Sequence, residues 1–122
     1  MATEDDVRRI ALSLPETAEK PSYGSPGFRV KDRLFLRIRH EKEGGLVVFV
    51  GDLGEKEMLV ASDPDKFFTT PHYDGHASVL VNLPAIEVDE LAELITESWR
   101  IRAPQRVLDR YADQLPGGPD PG

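Results

Sequence analysis

Apolar residues recur along this chain in two rhythms, and the switches between them mark its elements. Val7, Ile10, Ala11 and Leu14 fall at helical spacing behind Thr3 and Asp6, a capping-box pair. A helix is expected over 4–13, stopped by Pro15. The next stretch, PETAEKPSYGSPG, carries three prolines and two glycines and reads as a structured loop. FRVKDRLFLRIR then alternates with a period of two, so Leu34, Leu36 and Ile38 share one face while Arg33, Phe35, Arg37 and Arg39 share the other. A three-residue loop, Lys31-Asp32-Arg33, pairs Val30 with Leu34 and Phe28 with Leu36. That register keeps all five apolar residues on one face and sets Arg29 beside Phe35 on the opposite one.

LVVFVGD (46–52) is apolar on both faces, as a central strand is. Glu55 to Ser62 reads as a short helix closed by SDPDK, FFTT as a brief strand, and Ser78 to Leu83 as an alternating strand ended by Pro84. Asp89 is placed to cap a helix running to about Arg102, with Leu91, Leu94, Ile95, Ser98 and Trp99 on its apolar stripe. Pro104 opens a further helix carrying Val107, Leu108 and Tyr111. The order αβββαββαα predicts an α+β fold of two layers, a mainly antiparallel sheet with helices packed on one face. One domain over 1–114 is expected, followed by a disordered tail over 115–122, PGGPDPG being unable to pack.

Charge changes this picture more than composition does. The 122 residues carry a net charge of -7, which opposes general phosphate binding. Yet Arg29, Lys31, Arg33, Arg37, Arg39 and Lys42 crowd into 28–42 against only Asp32 and Glu41, and Arg100, Arg102, Arg106 and Arg110 into 99–110 against Asp109. The chain is acidic with two basic islands. It has no cysteine, which removes disulfides, thiolate nucleophiles and thiolate-rich zinc sites and suits a reducing cytoplasm. No stretch approaches the ~18 apolar residues of a membrane span, and the acidic N-terminus does not read as a secretory leader.

Candidate chemistry is sparse. PHYDGH (71–76) offers His72, Asp74 and His76 as metal ligands, but Pro71 and Gly75 disfavour the helix on which an i, i+4 histidine pair chelates. The segment reads as a shaped loop, with no metal expected. No serine sits in a G-x-S-x-G elbow, and neither phosphate-loop pattern occurs, so no catalytic residue, cofactor or enzymatic activity is expected. Alternate residues on a strand stand ~6.6–6.8 Å apart, near the phosphate spacing of an extended single strand. Arginines interleaved with an aromatic residue also make a base-stacking surface. Arg29, Lys31, Arg33, Phe35, Arg37 and Arg39 are therefore the candidate nucleic-acid contacts. The alternative is a cleft between loops 22–28 and 71–76, offering Tyr23, Phe28, His72, Tyr73 and His76 to a protein or a small anionic ligand.

LSLPETAEKPSYGSPGFRVKDRLFLRI (12–38), FFTTPHYDGHASVLVNL (67–83) and ELAELITESWRIRAPQRVL (90–108), in this order and spacing, resemble the MmcQ/YjbR family of small bacterial proteins. The resemblance spans about residues 4 to 112. It implies a frataxin/CyaY-like α+β topology and carries a label of DNA binding, through likeness of shape to a double-wing domain. Because most of the chain repels phosphate, contact with DNA as the partner is expected to be weak and salt-dependent. Members often have glycine in the hairpin where this chain has Asp32.

Overall fold

A computed structural model of the chain describes residues 1–22, 24–39 and 45–111. Helix α1 (Glu4–Ser13) starts as its sequence requires: the Asp6 amide donates to Thr3 Oγ1, and the Asp6 carboxylate accepts from the Thr3 amide. Strands β1 (Thr17–Ser22), β2 (Ser25–Val30), β3 (Arg33–Ile38) and β4 (Leu46–Phe49) follow, then α2 (Leu53–Ser62), β5 (Phe67–Phe68) and β6 (Ser78–Val81). A 3-10 turn over Leu83–Ala85 leads into α3 (Val88–Arg102) and α4 (Gln105–Tyr111). The strands form one antiparallel sheet in the order β1-β2-β3-β4-β6-β5. The α+β expectation holds, with one strand added. The tail expected over 115–122 lies outside the described residues.

That added strand is β1, read from sequence as loop. It is an edge strand whose polar residues show no apolar alternation, and Pro21 is tolerated there because an edge need not donate on both sides. The long helix also starts differently: Val88 opens α3 behind Glu87, which makes no side-chain cap, and Asp89 lies in the first turn.

Residues directly opposite one another share a face. Leu36, Val48 and Val79 form one row across β3, β4 and β6; Ile38, Leu46, Val81 and Phe67 form the next. Both rows are buried in one core with Val7, Ile10 and Ala11 of α1 and Leu91, Ile95 and Trp99 of α3. Trp99 satisfies its indole N–H on the Pro15 carbonyl at 3.0 Å.

The β2–β3 hairpin corrects two expectations. Its loop has two residues, not three: Lys31 and Asp32 sit at φ 47° and 68°, and Val30 pairs with Arg33. Positive φ at both positions marks a type I′ turn, where aspartate is among the few non-glycine residues tolerated. The register then shifts, so that Arg29 faces Leu34 while Phe28 faces Leu36. Phe35 is the extra residue of this bulge. It therefore leaves the outward row and is fully buried in the core, while Leu34 is only half-buried.

Candidate functional site

The opposite face of the sheet carries a different row: Gly27, Arg37, Val47, Leu80 and Phe68 lie side by side across five strands. It is not open to solvent, because the segment between β5 and β6 folds back over part of it. Gly75 takes φ 85°, and the amides of Tyr73, Asp74 and His76 donate to the carbonyls of Thr70, Thr70 and Tyr73, making consecutive tight turns. Thr69 Oγ1 donates to Asp74 Oδ1 at 3.0 Å and ties the ends of the turn. The loop expected from Pro71 and Gly75 is thus present.

What holds this loop down is Lys56 of α2. Its residue exposure is only 5%, and Nζ donates to the Tyr73 carbonyl at 2.5 Å and the His76 carbonyl at 3.0 Å. Burial pushes its pKa below the ordinary lysine value, with the negative charge of Asp74 opposing that shift. A buried ammonium needs acceptors, and two loop carbonyls supply them. Nothing in the sequence distinguishes Lys56 from a surface lysine on a short helix.

The anchored loop presents Tyr73 to β3. Arg37 Nη2 donates to the Tyr73 hydroxyl at 2.9 Å and Nη1 reaches Ser25 Oγ at 3.4 Å, while the Arg39 guanidinium stands 5.6 Å from the Tyr73 ring centre. Arg37 and Arg39 are accordingly 7% and 8% exposed. The expectation that they point outward with Phe35 as a stacking surface is corrected. The other three candidates surround the hairpin tip. Arg29 donates to the Asp32 carbonyl, Lys31 pairs with Glu16 at 3.0 Å, and Arg33 donates to the Arg102 carbonyl at 3.3 Å. The six residues do not form one continuous strip.

Beside the loop lies a cleft of about 820 Å³. One wall is the ring cluster His72, Tyr73 and His76, with His72 against Tyr73 at 4.8 Å and the two imidazoles 6.4 Å apart. The floor is Leu34, Arg37, Val47, Phe49 and Ser78, and the far wall is the C-terminal end of α3, Ile101 and Arg102. β3 pairs with β4 only from Leu36 to Ile38, and α3 serves the carbonyls just before that stretch. Ser98 Oγ donates to the Phe35 carbonyl at 2.9 Å, and Arg102 Nε to the Leu34 carbonyl at 2.9 Å. The Arg102 guanidinium then lies over the Phe49 ring, 5.0 Å from its centre. Its remaining N–H groups meet no acceptor among the described residues.

Of the residues expected to line a cleft between loops 22–28 and 71–76, His72, Tyr73 and His76 do line one. Phe28 does not: it is fully buried in the core, and the rest of the lining comes mainly from β3, β4 and the end of α3. Tyr23 lies outside the described residues. Arg102 was missed because a cation at a helix C-terminus is already explained by the helix dipole. Only the packing of α3 on the bulged strand brings it to the cleft. No group of three or more histidine and carboxylate side chains comes together among the described residues.

A family model described as YjbR matches residues 12–101. The chain belongs to the YjbR family. Among relatives, it is 41% identical over 124 residues to the uncharacterized protein Rv2570 of Mycobacterium tuberculosis, covering 91% of this chain and 96% of that one. The uncharacterized protein Mb2600 of Mycobacterium bovis is similar to the same extent. The crystal structure of Deinococcus radiodurans protein DR2400, of domain family DUF419, matches with a TM-score of 0.72 at 19% identity, over 100% of this chain and 95% of that one. The structural likeness extends the YjbR assignment to the fold. The α+β sheet is thus shared well beyond the range of close sequence similarity.

Proposed function

We propose that this YjbR-family chain is a non-enzymatic binding module of the cytoplasm whose ligand is a small organic anion held in the cleft beside the 69–77 loop. One observation carries the reading. In a chain with 22 acidic residues and a net charge of -7, this cleft is lined by Arg37, Arg102, His72 and His76 and by no carboxylate among the described lining residues. Chance placement of charge does not favour that, whereas a concave, mostly apolar cavity with a few converging polar groups is the usual form of a ligand site. Both guanidiniums are held in place, Arg37 by Tyr73 and Ser25 and Arg102 by the Leu34 carbonyl. Fixed donors lower the ordering cost of binding. The test is titration of 15N-labelled protein with small carboxylates and phosphates. Saturable shifts at Phe49, Tyr73 and Arg102 are expected, abolished by Arg102→Gln.

The family label of DNA binding has one observation in its favour. The two basic islands, separate in sequence, meet at one end of the molecule, where Lys31, Arg106, Val107 and Arg110 line a shallow hollow beside the hairpin tip. Contact there would be weak and governed by salt. If three of these cations each neutralise one phosphate, log K should fall against log salt with a slope of roughly -2 to -3. Lys31 is already paired with Glu16, and Arg37, Arg39 and Phe35 are buried, so this surface is smaller than the sequence promised. Shifts confined to Lys31, Arg106 and Arg110 on adding oligonucleotide would favour it over the cleft.

A further inference from the structure

We propose that the anion taken by the cleft is a monocarboxylate carried on a flat, apolar body, with its carboxylate on Arg102 and its body between Phe49, Val47 and the His72–Tyr73–His76 rings. This rests on the reading of the cleft as an anion site and adds the class of ligand.

Three features select that class. The first is the donor set. Arg102 spends Nε on the Leu34 carbonyl, and its other N–H groups, a planar fork matched to two carboxylate oxygens, face no acceptor among the described residues. The described lining residues include no lysine.

The second is the absence of a phosphate cradle among the described residues. Phosphates are held by runs of backbone N–H groups at turns and helix starts. Of the turn backbone at the cleft, the Tyr73 and His76 amides are spent on carbonyls of their own loop, and Gly51 and the start of α2 are occupied by acids. The Gly51 amide donates to Glu55 Oε2 at 3.2 Å, and the Glu55 amide to Asp52 Oδ1 at 2.8 Å. These two carboxylates, outside the lining but bonded at its Gly51 edge, oppose a dianion more strongly than a single negative charge on Arg102.

The third is the surface left for the body. Phe49, His72, Tyr73 and His76 present four rings, and Leu34, Val47 and Ile101 add aliphatic area, in a space several times larger than a carboxylate alone requires. Ile101, an exposed large apolar residue, stands at the rim where such a body would cover it.

The experiment titrates the intact chain with naphthoate, naphthamide, cyclohexanecarboxylate, inorganic phosphate and a mononucleotide, following amide shifts at Phe49, Tyr73 and Arg102. Naphthoate is expected to bind, with naphthamide weaker by about tenfold or more, since the lost interaction is a charge-assisted pair. Cyclohexanecarboxylate should also bind more weakly, lacking a face to stack. Arg102→Lys should lose affinity to a similar degree; because Arg102 also anchors β3, the amide comparison on the unaltered chain decides if that variant fails to fold. Phosphate or the mononucleotide binding in the cleft more tightly than naphthoate would overturn the proposed class and leave the anion site standing. No cleft shift with any probe would overturn both.

Discussion

The two faces of this sheet are made from neighbouring residues of the same strands and were built for opposite ends. On the helix side, Leu36, Val48 and Val79 form an apolar row that shares one core with residues of α1 and α3. On the loop side, Arg37 and Arg39 are almost equally buried, but under a short turn-rich segment pinned by one lysine. The first face gains its stability from apolar area and needs no particular partner. The second surrounds charged groups with hydrogen bonds and leaves a cavity at its margin. Burial by helices makes a core; burial by a tethered loop leaves a cleft beside it.

Substitutions should separate the faces sharply. The largest effect is expected on the helix side, where Trp99→Ala should cost ~3–5 kcal/mol, a large part of the ~5–15 kcal/mol available to a domain. Phe35→Ala belongs with it, since Phe35 lies in the same core and not on a binding surface. Equilibrium denaturation checks both. A Phe35→Ala protein of unchanged midpoint would return that ring to the surface and dissolve the contrast.

Next in size is the loop anchor. Lys56→Met removes the donors to the Tyr73 and His76 carbonyls and should cost about 1–3 kcal/mol. Its distinguishing sign is local. Amide exchange should quicken across 69–77 while the helix-side core keeps its protection. Uniform quickening would mean that the loop is part of the core and that the two faces are not distinct.

The smallest effect lies beyond both faces, at the hairpin tip. The Tyr111 hydroxyl, at 2.7 Å, and the Lys31 ammonium hold the Glu16 carboxyl below its ordinary pKa. A depressed carboxylate contributes stability that is present above the unfolded-state value of ~4.3 and is lost as pH falls through the lower folded-state value. An NMR titration of the Glu16 side chain should therefore show a midpoint below ~4.3. A midpoint at or above it would detach α4 from the hairpin. The pair is exposed enough that its effect should be minor beside the other two.

The same contrast explains what the sequence disclosed. Helical spacing and the Thr3–Asp6 pair placed α1 correctly, alternation located β3 and β6, and an unbroken apolar run located β4. β1 stayed hidden because an edge strand with Pro21 and no apolar rhythm is recognisable only from its partner. Phe35 was assigned to the wrong face because a one-residue bulge is invisible to alternation and inverts its result. His72, Tyr73 and His76 could be singled out as candidates since they are adjacent in sequence. Lys56 and Arg102 could not, because each acts on groups contributed by distant segments, the carbonyls of Tyr73 and His76 for one and of Leu34 for the other.

One comparison bears on the central claim most directly: the affinity for naphthoate of Arg102→Gln set beside that of the triple variant Lys31→Gln, Arg106→Gln, Arg110→Gln. If the loop-covered face is the functional one, the single change at the cleft should weaken binding by about tenfold or more, while the triple change at the basic end leaves it nearly unaltered. The reverse order, with Arg102→Gln unaffected and the triple variant weakened, would place anion recognition at the hairpin tip and contradict the account.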